Sequence, residues 1–410
     1  MIKAYNRVVS NQGSCGVDKM KVTELKDYLD CHWEELKTDI QTGKYRPRSV
    51  KGVEIDKPQG GKRLLGIPTV IDRLMQQAIY QELNEIYDHT FSYYSYGFRK
   101  GKSCQHAIKQ ALEYVNTGSK YVVDIDLSKF FDRVNHDYLM HLLSKEIKDK
   151  KLLTLIRRYL QSGIMLDGIT SRRSEGTPQG SPLSPLLSNI MLNELDKELD
   201  KRGHRYVRYA DDFSIYVNTK RSAYRVMHSI TKFVETNLKL RINKKKSKVC
   251  YAGHMELLGY GIYRMRNQKF GLKVTERNWI KFVRKCKAIT RKSYPISLTE
   301  RTLRLRQLGY GWIGYFRMAN IKTRLAKLDG LLTGRLRYCI WKSWKRLRTR
   351  IRNLKRLGIP IGLAIKWGLT RRGGWHVVNT PILQTTITKE RLMKRGFLPM
   401  TNILSKFSQV

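Results

Sequence analysis

Acidic residues are scarce in this chain. Its 410 residues carry 34 Asp plus Glu against 80 Lys plus Arg, a formal charge of +46, and no acidic side chain occurs between Gly330 and Lys389. A surplus of that size points to a polyanionic partner, because cationic side chains gain by displacing counterions condensed on phosphates. A bundle charged so heavily with one sign repels itself, so this stretch is expected to lie against a phosphate backbone. Long apolar runs are also missing. None reaches the roughly 18 residues that span a bilayer; "GIPIGLAIKWGL" (358–369) is short and carries Lys366, and "MIKAYNRVVS" at the start lacks the apolar core of a signal peptide. The six cysteines (15, 31, 104, 250, 286 and 339) lie far apart with no Cys-x-x-Cys pair, which signals neither a zinc site nor a disulfide framework. No period indicates a solenoid. What remains is a chain long enough for two or three domains, expected in the cytosol, with nucleic acid as its partner and no membrane.

The patterns that are present alternate along the first 265 residues. "KYVVDIDLSKFF" (120–131) reads as a buried strand and "NHDYLMHLLSKEI" (135–147) as the start of a helix. "SPLSPLLSNIMLNELDKELDK" (181–201) places Leu183, Leu186, Leu187, Ile190, Met191, Leu195 and Leu199 on one helical face after a Ser-Pro start. In "RYVRYADDFSIYV" (205–217), "YVRYA" and "FSIYV" read as the two strands of a tight hairpin with Asp211 and Asp212 at their junction. Strand, helix, helix, hairpin predicts an α/β sheet with helices packed on one face. From about residue 275 the strand signals fade into long basic helices, with Trp341 and Trp344 among the cations.

A lone Asp-Asp pair is most often a solvated turn. A second stretch changes the weight of this one: Asp124 and Asp126 in "VVDIDLSKFFD" (122–132) share a strand face, and the two-residue repeat extends that face to Phe130. Carboxylates from separate elements are what a two-metal site requires, since two Mg²⁺ ions roughly 4 Å apart need bridging hard oxygen ligands.

The ordered set of blocks resembles the reverse transcriptases encoded by bacterial group II introns. "YADD" in a strand-turn-strand follows "DIDLSKFFD" and "TPQGSPLSPLLSNIMLNELD". "KRLLGIPTVIDRLMQQAI" resembles the family's first fingers block, preceded by the loop residues Lys57–Gly61. "YSYGFRKGKSCQHAI" resembles the second fingers block, "LKLRINKKKSKV" the block after the catalytic hairpin, "LLGYGI" the primer-contact turn and "LRQLGYGWIGYF" the thumb, or maturase, region. The resemblance covers nearly the whole chain and implies a right-hand polymerase fold. Its fingers (1–112) and palm (113–272) form an antiparallel sheet with helices on one face. An all-α thumb (273–356) and a basic, DNA-binding-like region (357–410) follow.

The resemblance also implies roles. Asp126, Asp211 and Asp212 match the catalytic, metal-binding aspartates, with the backbone carbonyl of Leu127 completing one shell; Asp124 is not counted as a ligand. Two Mg²⁺ ions are implied, with Mn²⁺ an acceptable substitute. Phe131 matches the ring that closes on the sugar 2′ position, Phe130 being the alternative. Gln179 lies along the incoming nucleotide, Lys62, Arg63 and Arg73 are candidates for the triphosphate, and Lys246 matches a lysine assisting pyrophosphate departure, though Lys244, Lys245 and Lys248 compete for that part. Arg99 is expected on the template, Gly259 and Tyr260 at the primer end. Arg346, Arg348, Arg350 and Arg352 are expected on RNA phosphates, with Trp341 or Trp344 available for stacking. Ser181 stands where many relatives have Gly. The chain stops at Val410 without the Cys/His nuclease domain of fuller versions, a plan resembling the group IIC lineage. The implied partners are group II intron RNA, RNA template, DNA primer, deoxynucleotides and target DNA, in a bacterial cytoplasmic ribonucleoprotein. The competing readings are a reverse transcriptase from a retron, a diversity-generating element or a defence system, and a maturase that only folds RNA.

Overall fold

The computed structural model describes residues 1–56, 60–166, 168–171 and 173–408. Lys57 to Gln59 of the fingers loop and Val410 lie outside the described residues. The chain divides into two compact units at Ala252 and Gly253.

In the first unit the helices α1 (Ile2–Asn11) and α2 (Leu25–Thr42) precede a hairpin of β1 (Val50–Asp56) and β2 (Lys62–Ile67), which leads into α3 (Val70–Tyr87). Thr69 caps α3 by accepting the Asp72 amide. Next come α4 (Cys104–Asn116), β3 (Tyr121–Ile125), α5 (His136–Glu146), α6 (Lys150–Gln161), β4 (Ile164–Leu166) and β5 (Ile169–Ser171). The unit closes with α7 (Ser184–Lys201), β6 (Arg205–Tyr209), β7 (Asp212–Val217), α8 (Lys220–Thr236) and β8 (Lys248–Tyr251). One sheet has the order β2-β1-β4-β5; the other, fully antiparallel, has the order β6-β7-β3-β8.

The second sheet positions the carboxylates. Val123, Ile125, Phe213, Ile215 and Tyr206 share one buried core with α5, α7 and α8, and strand alternation then turns Asp124, which pairs with Ser214, to the other face. The helix at 184–201 begins with Pro185 in its first turn, but it is buried well beyond the apolar stripe: Asn189, Asn193 and Asp196 are buried too. Two expectations change here. The strand ends at Ile125, and Lys129 takes a left-handed φ of 51° into a short 3₁₀ turn. Phe130 therefore does not continue the face of Asp124 and Asp126 but drops into the core, 2% exposed.

The second unit opens with a three-stranded sheet, β9 (Glu256–Leu257), β10 (Tyr260–Arg264) and β11 (Phe270–Val274), in the order β11-β10-β9. These strands fall with the second unit, whereas the sequence reading placed them in the palm up to 272. Helices follow: α9 (Glu276–Ile289), α10 (Leu298–Phe316), α11 (Lys322–Ser343), α12 (Leu347–Arg356), α13 (Ile361–Gly368), the short α14 (Gly374–Val378), α15 (Pro381–Gln384) and α16 (Lys389–Lys394), and α17 (Met400–Ser408). Near the end of the chain, α17 packs back on α10 and α11. The buried Asp329 of α11 accepts hydrogen bonds from the Met400 amide at 2.6 Å, the Thr401 amide at 3.0 Å and the Thr401 hydroxyl at 2.7 Å. Trp341 and Trp344 are 2% and 9% exposed, so they belong to the core of this unit and are not free to stack on bases.

Removing the Asp329 carboxylate strands two amides at the start of α17. Asp329→Ala is expected to lower the unfolding free energy of this unit by about 2–4 kcal/mol, read by denaturant unfolding; a loss under about 0.5 kcal/mol contradicts the capping role.

Candidate active site

The β6–β7 hairpin closes through a two-residue turn, Ala210–Asp211, with Tyr209 paired to Asp212. Ala210 takes a left-handed φ of 57°, which costs a residue with a side chain some strain. The surroundings hold it there. Arg208, 0% exposed, forms a buried ion pair with Asp196 of α7, its Nε donating to Oδ1 at 2.8 Å. Its Nη1 donates to the Asn189 side-chain oxygen and to the Ala210 carbonyl, each at 3.0 Å. The segment 94–97 runs beside β6: the Tyr96 amide donates to the Arg208 carbonyl at 2.9 Å and the Arg208 amide to the Tyr94 carbonyl at 3.0 Å. Gly97 is required by contact, since a Cβ there would lie 2.2 Å from the Ala210 nitrogen.

Just past the end of β3, Asp126 is fixed from another direction. Its Oδ2 accepts from the Asn243 amide group at 2.9 Å, its backbone carbonyl accepts from the Asn243 backbone amide at 2.8 Å, and its own amide donates to Ser247 Oγ at 3.1 Å. Leu127 bridges to Ile242. Lys246 Nζ lies 3.7 Å from Asp126 Oδ1. It also acts electrostatically on Asp211 and Asp212, which separates it from Lys248, whose charge acts on Asp124.

The carboxylates interact strongly. Burial, then the charges of Asp211, Asp126 and Asp124, raise the Asp212 carboxyl to about 6, with Lys246 opposing. Burial, with a smaller push from Asp126, raises Asp124 to about 6 against the pull of Lys248. Asp211 is raised by burial and by Asp126, with Arg63 and Lys246 opposing. Among the described residues no three His, Cys, Asp or Glu side chains are gathered into a finished metal cage. The donor set nevertheless fits a hard divalent cation: carboxylate oxygens from two strands and a turn.

The remaining sequence candidates divide into two groups. Phe131 is half-buried and meets Phe130 edge-on at 5.3 Å between ring centres; of the two, it is the one that keeps solvent access. Gln179 is held by its backbone carbonyl, which accepts from the Gly66 amide at 2.8 Å. Lys62 pairs with Glu54 across the β1–β2 hairpin, Arg63 is exposed beside it, and Arg73 is half-buried, donating to the Ser14 carbonyl at 2.6 Å. Arg346, Arg348 and Arg352 are exposed.

Three assignments are corrected. Arg99 is committed internally rather than to template: it pairs with Asp88 at 2.8 Å and donates to the carbonyls of Asp88, Ser92 and Ser95, which uses four of the five guanidinium N–H groups. Tyr260 is 1% exposed, and its hydroxyl donates to the Tyr315 carbonyl, which makes it a wall of the second unit. It flanks a turn in which Leu258 and Gly259 both have positive φ, 50° and 83°. Arg350 donates to the Trp344 carbonyl at 3.1 Å and lies 4.8 Å over the Trp341 ring; it braces the core. Missed entirely were Asp196, Arg208, Asn243 and Ser247, which hold the carboxylate-bearing segments. The one signal for them was a polar residue inside an apolar pattern, Arg208 in "YVRYA" and Asp196 in "NELDKEL".

Residues 55–262 match the family described as reverse transcriptase (RNA-dependent DNA polymerase), and the chain belongs to that family. Residues 280–358 match the group II intron maturase-specific domain. Protein YkfC of Escherichia coli is 32% identical over 292 residues, 62% of this chain and 77% of that protein. The group II intron-encoded protein LtrA of Lactococcus lactis is 35% identical over 184 residues, 43% of this chain and 29% of that one. A putative COX1/OXI3 intron 1 protein of Saccharomyces cerevisiae is 31% identical over 182 residues, 44% of this chain and 22% of that one. Against LtrA and the yeast protein, the chain therefore spans less than a third of the relative's length.

The raised carboxyls carry a sign. Native Asp212 holds its proton to a higher pH than the unfolded chain, so metal-free stability falls as pH rises from about 4 to 6 and stays lowered above that. Its carboxyl reaches solvent, and screening keeps the effect near 1 kcal/mol. Asp212→Asn is expected to flatten that slope and to raise the metal-free Tm at neutral pH, while cancelling part of the Tm gain that Mg²⁺ gives the wild type. An unchanged pH slope contradicts the crowding.

Proposed function

We propose that the chain is an RNA-directed DNA polymerase that copies RNA into cDNA and binds group II intron RNA to assist its splicing and mobility. What supports the first half is that the β3–β7 register, with Ile125 opposite Phe213, sets Asp126 next to the start of β7 and the turn that carry Asp212 and Asp211, within a segment matching the reverse transcriptase family. Two bound Mg²⁺ ions, or Mn²⁺ in their place, would supply activation of a 3′-hydroxyl and charge neutralisation at the triphosphate. Asp126, Asp211, Asp212 and the Leu127 carbonyl are the groups that would hold them. Lys246 stands beside Asp126 to stabilise charge on departing pyrophosphate. Lys62 and Arg63 on the β1–β2 hairpin, with Arg73 behind them, contribute positive charge for the triphosphate. Phe131 excludes a 2′-hydroxyl by contact, and Gln179 borders the nucleotide. The Leu258–Gly259 turn belongs at the primer.

The maturase-specific match over 280–358 favours an intron-encoded enzyme over a retron, diversity-generating or defence type. Intact carboxylates argue against a splicing-only maturase. Among the described residues no helix is long and apolar enough to cross a membrane, and we place the protein in a bacterial cytoplasmic ribonucleoprotein with intron RNA, template, primer and target DNA.

Asp211→Asn is expected to reduce Mg²⁺-dependent extension of a DNA primer on RNA by at least about a hundredfold while leaving the fold intact; near-normal extension overturns the assignment. Phe131→Ala should admit ribonucleotides, whereas Phe130→Ala should chiefly lower stability. Replacing Arg346, Arg348 and Arg352 together with Gln should flatten the salt dependence of intron binding by about 0.7–0.9 in slope per lost phosphate contact. An unchanged slope places the RNA surface elsewhere.

A further inference from the structure

Phe98 is the least ordinary residue near the catalytic turn. Its φ is 57°, in the left-handed region that an aromatic side chain rarely adopts, and the residue is 46% exposed. A lone exposed aromatic needs no explanation; a strained and exposed one between two immobilised neighbours does. On one side, Gly97 is pressed against the Ala210 backbone, and its carbonyl accepts from the Asn189 side chain at 2.9 Å. On the other, Arg99 is locked into the loop by its contacts to Asp88, Ser92 and Ser95. With both neighbours pinned, Phe98 has no route to a relaxed φ. Gly or Asn would adopt this backbone with less strain, yet the chain places a large apolar ring there, in water.

The position says what the ring meets. Phe98 lies one residue, about 3.8 Å of backbone, from the glycine that touches the Ala210–Asp211 turn. Lys100 is exposed beside it, and Arg63 and Lys246 act on the same carboxylates. An exposed aromatic one residue from the glycine at this turn, followed by the exposed Lys100, has the composition of a base-stacking platform, in which a cation follows the phosphates and the ring takes a base. Strain held at such a point is consistent with a preorganised contact.

We propose that Phe98 stacks on a nucleobase of the primer–template held at the Asp126, Asp211 and Asp212 centre, an inference that rests on the polymerase reading of that centre. The base is either the unpaired template base ahead of the primer or the terminal base pair. The full chain is titrated, by fluorescence anisotropy, into a labelled DNA primer on an RNA template, once with a 5′ template overhang and once blunt. Phe98→Gly relieves the backbone strain, so its Tm should equal or exceed that of the wild type while affinity for the overhang substrate falls about tenfold, within the range of base–aromatic stacking. Phe98→Asn, which also tolerates the left-handed backbone, should behave the same way should the glycine variant prove unstable. Phe98→Tyr keeps a ring and should bind within about twofold of wild type. Loss confined to the overhang substrate identifies the template base, and loss on both substrates the terminal pair. Wild-type affinity for Phe98→Gly or Phe98→Asn on both substrates overturns the proposal, as does a Phe98→Tyr variant as weak as Phe98→Gly. Absence of extension by the wild type would instead overturn the polymerase reading, which the binding measurement does not depend on.

Discussion

Asp124, Asp126, Asp211 and Asp212 gather where β3 ends beside the β6–β7 turn, and their charges oppose one another's ionisation. Left to itself, such a cluster would splay or take up protons. The first unit answers this from the opposite face. There Arg208, turned inward on the same hairpin, is gripped by Asp196 and Asn189 and in turn holds the Ala210 carbonyl. A buried ion pair of this kind is poor evidence for stability, since apolar residues of similar volume often serve as well. Its geometric effect is clearer: it ties the turn that carries Asp211 to a helix most of whose residues are buried.

The other supports extend the same logic. Asn243 and Ser247 hold Asp126 through side-chain and backbone contacts, so the two carboxylate-bearing strands are fixed independently. The loop at 94–97 adds a backbone layer on β6, and the Gly97 contact allows nothing bulkier between loop and turn. Arg99, placed on template by its sequence context, contributes through this loop instead. In the second unit Arg350 and Asp329 play comparable internal parts, and a strongly basic composition conceals how many of its cations are structural.

Much of this was legible in the residue pattern. The hairpin, the two carboxylate stretches and the apolar face of the helix follow from period and turn chemistry, though the helix starts at the second Ser-Pro, Ser184–Pro185, rather than at Ser181–Pro182. The strand's end before Phe130 did not, because Lys129 turns the chain with a left-handed φ that no lysine signals. Nor did the internal roles of Arg99, Tyr260 and Arg350: a cation or tyrosine within a recognisable block reads as a ligand contact until the backbone carbonyls that accept from it are seen. The pairing of Arg208 with Asp196 is a tertiary fact of the same kind. The return of α17 onto α10 and α11 depends on backbone amides meeting Asp329 across 71 positions.

The central claim is that the buried Arg208–Asp196 pair positions the carboxylates rather than merely stabilising the fold. The direct measurement is the half-saturating Mg²⁺ concentration for primer extension by the double variant Arg208→Met/Asp196→Leu, with Tm recorded alongside. Replacing both charges with apolar side chains should leave Tm within a few degrees of wild type, yet raise the Mg²⁺ requirement by about tenfold or more, as loss of groups that orient metal ligands does. A double variant that folds as well as the wild type and reaches half-saturation at the same Mg²⁺ concentration would contradict the account.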